Sequence, residues 1–149
     1  MNQRTIAAVL ILCLLLSACG SLTQPSLKED LVQSVKRLQS GEGSGLMRMN
    51  YVTTFDWDRM YVFQPYTSAK EIRKKLGFDW AKAEETGIEN SDTHQLVVFV
   101  QGDDVVRYVK VPRKAGTFSV KKGLTPGNAV FQSVEEDGQS VIKPVGEIQ

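Results

Sequence analysis

The sequence predicts an α+β domain, a mostly antiparallel sheet with two helices packed on one face. Three observations lead to it. Ser26 to Leu38 and Ser68 to Gly77 each open on a Ser-x-x-Glu start and continue with apolar residues at helical spacing. Two apolar runs, Leu96 to Gln101 and Val105 to Val111, flank Gly102-Asp103-Asp104, which reads as a hairpin. Further short β-rich runs follow in series with only turns between them, an order that suits an antiparallel sheet.

The chain opens on Met1-Asn2-Gln3-Arg4, an apolar run from Thr5 to Leu16, and Ser17-Ala18-Cys19-Gly20. A basic start, a short apolar middle and small residues before a cut site describe a secretory signal peptide over residues 1–18. The run is short of the ~20 apolar residues that a spanning helix needs. Leu16-Ser17-Ala18-Cys19 resembles the lipobox of bacterial lipoproteins. The resemblance implies cleavage between Ala18 and Cys19 and acylation of the Cys19 thiol. Cys13, inside the apolar run and preceded by bulky Leu12, does not fit the motif. Gly20 stands where Asp would favour inner-membrane retention, so the implied address is the periplasmic face of the outer membrane. In a one-membrane source it is the outer face of the cell membrane. Residues 19–25 then hold the acylated Cys19 and a short tether, 20–25, of at most ~20 Å.

The domain is expected over 26–149. Its first helix starts at a capping box, Ser26 with Glu29, and aligns Leu27, Leu31, Val35 and Leu38 on one face. Gly41 to Gly45 ends it. That loop leaves a helix instead of entering one and lacks a Gly-Lys-Ser/Thr ending, so it is a turn and not a phosphate cradle.

From Met49 to Phe63, β-branched and aromatic residues alternate with period two, which predicts strand with a break near Asp56-Trp57-Asp58. Half of the chain's aromatic residues lie between Tyr51 and Tyr66. They read either as one packed face of a sheet or as a binding surface for a sugar or peptide, formed by Asp56, Trp57, Asp58, Arg59 and Tyr61. A second capping box, Ser68 with Glu71, starts the second helix, Gly77 ends it, and Ile72 and Leu76 face the core.

Residues 79–94 read as a polar loop anchored by Trp80. The hairpin follows, apolar on both faces, as central strands are. Thr117 to Val120 and Ala129 to Glu135 read as further strands, and Val141 to Gln149 as an edge strand or tail. Lys110, Arg113, Lys114, Lys121 and Lys122 could gather at one end of the sheet, to meet an anionic lipid or glycan or simply as a solvated surface.

Composition excludes several functions. Lys and Arg number 18 and Asp and Glu 17, and Arg4 leaves with the leader, so the domain lacks the basic excess of a nucleic-acid binder. With Cys13 removed and Cys19 acylated, the domain has no disulfide and no thiolate metal site. One histidine, His94, is too few for a His-rich zinc site and sits at a strand start. No Gly-x-Ser-x-Gly elbow accompanies it. No enzyme, metal or cofactor is expected.

Phe55 to Ser68, with Leu76-Gly77 and the Leu96 to Val100 strand, resembles a group of small, uncharacterised bacterial envelope lipoproteins. The resemblance implies a shared architecture and address and brings no activity. Tyr66 to Gly77 followed by the hairpin is more distantly similar to the SmpA/OmlA outer-membrane assembly lipoproteins, departing from their Gly-Met-Thr helix start at Gln64-Pro65-Tyr66-Thr67. The expectation is a non-enzymatic, lipid-anchored envelope protein that binds a protein or envelope component near the membrane. Its alternatives are an inhibitor or shield against an envelope-targeting enzyme, inserting Gly41 to Gly45 or Asp56 to Arg59, and a small-ligand or glycan-binding domain.

Overall fold

The computed structural model describes residues 26–147. The leader, Cys19 and the tether lie outside the described residues, as does the end of the chain at Gln149. Among the described residues no helix is long and apolar enough to cross a membrane.

Helix α1 spans Leu27–Ser40 and buries Leu27, Leu31, Val35 and Leu38, as their spacing predicts. Its expected capping box does not form. A capping serine must be extended for its oxygen to reach the first-turn N–H groups. Ser26 is already helical (φ −85°, ψ 0°), and its hydroxyl donates to the Asp30 carboxylate at 2.7 Å. At the other end Gly41 takes φ 73°, and the Glu42 N–H returns to the Arg37 carbonyl at 3.1 Å.

The expected strand from Met49 is half replaced by helix. Strand β1 is Met47–Arg48, and Met49–Val52 forms a single helical turn, α2. Met49 and Val52 also stand at helical spacing, so the alternation was ambiguous over this stretch. Partners outside it decide the outcome. The Met49 N–H donates to the Ala129 carbonyl at 2.9 Å, and β1 pairs with a distant strand. Irregular backbone covers the anticipated break at Asp56–Asp58, and β2 then runs Arg59–Phe63. Helix α3, Ala69–Leu76, begins at the expected capping box of Ser68 and Glu71 and ends at Gly77 with φ 86°.

The hairpin is strands β3, His94–Gln101, and β4, Asp104–Pro112. With β2 they form an antiparallel sheet of order β2-β3-β4, in which Phe63 faces Leu96 and His94 faces Pro112. Strand β4 is therefore an edge and not central as its composition suggested. The second sheet holds β5, Thr117–Phe118, β6, Val130–Glu136, and β7, Gln139–Pro144, in the order β1-β6-β7-β5. Strand β5 runs parallel to β7 and the other pairs are antiparallel. The expected edge strand or tail from Val141 is thus interior, flanked by β6 and β5.

The α+β class with antiparallel sheets holds, but the two helices do not share one face. Along β2 and β3, Met60, Val62, Val97 and Phe99 join a core with α1 and with Phe118, Phe131 and Ile142 of the second sheet. Tyr61, Phe63, Leu96, Val98 and Val100 point the other way and pack with Ala69, Ile72 and Leu76 of α3. Both faces of β2 and β3 are apolar, so each requires its own cover.

Candidate functional site

The aromatic segment turns most of its side chains inward. Trp57 is buried, donates its indole N–H to Thr53 Oγ1 at 3.0 Å, and meets Phe99 edge-on with centroids 5.4 Å apart. Tyr61 is buried beside Phe63, its centroid 6.3 Å away. Gly123 lies so close that a Cβ there would come within 2.7 Å of the Tyr61 ring. These two rings therefore offer no exposed platform for a sugar. Asp58 accepts the Gly102 N–H at 2.7 Å, and its own N–H donates to the Val100 carbonyl at 2.7 Å, so it pins the β3–β4 turn. Asp56 and Arg59 are exposed, and Asp56 borders a shallow hollow with Asn50, Thr54 and Pro126.

A concavity runs along β4, where no local sequence signal marks it. It encloses about 690 Å³ and is floored by Asp104 to Val109. Leu27 and Lys28 of α1 form one wall, and Asp79 to Lys82 form the other. Trp80 fixes the second wall through an edge-on contact with Tyr108 of β4, centroids 5.1 Å apart. Arg73 of α3 holds the same turn by ion pairs to Asp79, at 2.8 Å, and to Glu84. The hydrogen bond from Arg73 depresses the Glu84 pKa below its ordinary value, and Glu84 in turn raises that of Arg73. Arg107 lies over the Phe55 ring, 5.3 Å from its centroid. Tyr108 is 39% exposed, and its ring borders the slot.

A second cleft of about 590 Å³ adjoins this slot through Lys28 and includes Asp92, His94, Arg113 and Lys114. His94 opens β3, as its sequence context predicted, and its Nδ1 lies 2.9 Å from Thr93 Oγ1. The anticipated basic cluster is divided. Arg113 and Lys114 border this cleft, whereas Lys122 lines a separate hollow with Leu124, Asn128 and Pro144. Among the described residues no group of three or more His, Cys, Asp or Glu could hold a metal ion.

One polar cluster is centred on a buried glutamine and was invisible in the sequence. Gln95 of β3 is buried and behaves as a piece of strand backbone. Its Oε1 accepts the Phe118 N–H at 2.9 Å, and its Nε2 donates to the Phe118 carbonyl at 2.8 Å and to Gln64 Oε1 at 2.7 Å. Gln64 Nε2 also donates to the Phe118 carbonyl, at 2.9 Å. The Gln95 amide and both backbone groups of Phe118 are thereby satisfied, so this is a structural clasp between the two sheets. Only its pairing with Phe118, remote in the chain, reveals it.

In comparisons with known proteins, no family model, no curated protein and no solved structure matches the chain.

Proposed function

We propose that the protein is a non-enzymatic, lipid-anchored bacterial envelope lipoprotein that binds a protein or envelope component beside the membrane. Lipid on Cys19 supplies the anchor, and the periplasmic face of the outer membrane is the address in a two-membrane source. The observation that carries the binding role is the open slot along β4. Leu27 and Lys28, at the start of the domain, form its wall. A tether of at most ~20 Å after Cys19 would keep that opening next to the bilayer. The anchor rests on the Leu16-Ser17-Ala18-Cys19 motif.

The test is intact mass of the protein purified from its native membrane, beside a Cys19→Ala variant. The expected result is a chain starting at Cys19 with added acyl mass, absent from the variant. A chain from the same membrane without acyl mass would overturn the anchor and the membrane-proximal role with it.

A further inference from the structure

We propose that the outer edge of β4 is a strand-addition site, taking an acidic extended segment of a partner polypeptide as a fourth strand of the β2-β3-β4 sheet. The proposal deepens the reading of this protein as a binding domain and rests on it for the partner's location.

The geometry is that of an unfinished sheet. Strand β4 pairs with β3 on one side only. Among the described residues, no other backbone hydrogen bond reaches Asp104 to Val111 from its outer side. Edge strands are ordinarily shortened, interrupted or covered, because their free N–H and C=O groups template pairing with another chain. Strand β4 is nine residues long. Its one irregularity sits near the turn, where Val100 faces Val105 and Phe99 faces Arg107, making Val106 the extra residue. From Arg107 to Val111 the ladder is regular. Asp104 to Val109 of this strand line the slot together with Lys28, Trp80 and Lys82. A strand entering there gains main-chain hydrogen bonds from the edge and side-chain contacts from the walls, the usual division between affinity and specificity in strand addition.

Charge selects the occupant. Lys28, Lys82 and Lys110 form no ion pair among the described residues, whereas of the two acids that line the slot Asp79 is engaged by Arg73 and Asp104 sits at the turn end, outside the regular ladder from Arg107 to Val111. Side chains of an added strand alternate between the two faces. Acidic residues pointing one way would meet Lys28, and those pointing the other way would meet Lys82 and Lys110. A second copy of this chain is the poorer occupant, because Arg107 and Lys110 outnumber Asp104 on β4, so the strand carries the same sign as Lys28 and Lys82 beside it.

The test uses the full chain and a short synthetic peptide of repeating glutamate-glutamate-valine-valine, whose acids fall on both faces of a strand, read by amide hydrogen exchange and NMR shifts. The expected result is protection of alternate amides between Arg107 and Val111. Binding should weaken roughly tenfold when Lys28→Glu and Lys82→Glu are combined, both being exposed changes that leave the core intact. Two control peptides are needed, one with lysine for glutamate and one N-methylated on the amides facing β4. Equal binding by either control, or no protection of β4 by the acidic peptide, overturns the proposal. Protection of β4 without peptide that grows with protein concentration would assign the edge to a second copy. Protection by vesicles of anionic phospholipid alone would assign it to the membrane surface, and either result overturns the proposal. A Cys19→Ala chain should bind the peptide unchanged, so failure of strand addition and failure of the anchor are read separately.

Discussion

Strands β3 and β4 are nearly alike in sequence and opposite in circumstance. Both are rich in valine, each carries an aromatic residue near its middle, and they are joined by a tight turn. Gln95 to Val100 of β3 are all buried, while β4 alternates between half-buried and exposed until Val111. The difference comes from position. Strand β3 has a neighbour on each side and a core on each face, whereas β4 has one neighbour and walls that leave its edge open. Apolar composition therefore reports that a strand is covered on its faces and says little about who pairs with its edge.

The comparison breaks most readily at the aromatic residue of each strand. Phe99→Ala in β3 should lower stability by about 3–5 kcal/mol, because the ring is fully buried against Phe55 and Trp57. Tyr108→Ala in β4 should cost about 1 kcal/mol, since the ring meets Trp80 edge-on and is 39% exposed. Urea denaturation of the two variants measures both, and similar losses would contradict the difference in cover between the two strands.

A smaller loss is expected at the clasp. Gln95→Leu keeps the volume but strands the Phe118 N–H without an acceptor, at a cost of roughly 2–3 kcal/mol. Gln64→Leu removes only one of the two donors to the Phe118 carbonyl and should cost less. Reversal of that order in denaturation midpoints would show that the sheets are not joined through Gln95.

The smallest effect lies at the start of α3. The backbone N–H and hydroxyl of Ser68 hydrogen-bond Glu71 and depress its pKa below the ordinary 4.5. A carboxylate depressed in the fold contributes stability above its unfolded value and loses it as pH falls through the folded one. Stability should therefore decline from about pH 4.5 downward, and Glu71→Gln should flatten that part of the curve. An identical acid slope in the two proteins would remove the capping box from the account.

Much of the fold was legible where a local signal and its tertiary outcome agree. The stripe from Leu27 to Leu38, the Ser68–Glu71 start, the Gly41 and Gly77 ends and the Gly102-Asp103 turn are all short-range patterns. Met47 to Val52 was not legible, because one turn of helix and a strand fit the same residues and Ala129 decides between them. Ser26 shows the reverse, a correct motif left unused because the helical backbone already includes the serine. At the site, Trp57 and Tyr61 drew attention as aromatics and proved to be interior. The β4 slot escaped notice because an edge is a property of strand order, which no single segment encodes.

The pairing of Met47 with Phe131 has a consequence in time. A chain that emerges from its N-terminal end can zip β2, β3 and β4 with near neighbours, since local contacts form quickly. Strand β1 has no partner until β6 has followed it out. During that interval Met47, Met49 and the apolar stripe of α1 lack the cover of Phe118, Phe131 and Ile142, a species of the kind that attracts chaperones and aggregates. Synthesis of the last strands therefore governs when the nascent chain becomes safe from its neighbours. Slowing translation between β4 and β6 should prolong that vulnerable stage more than an equal delay after β7.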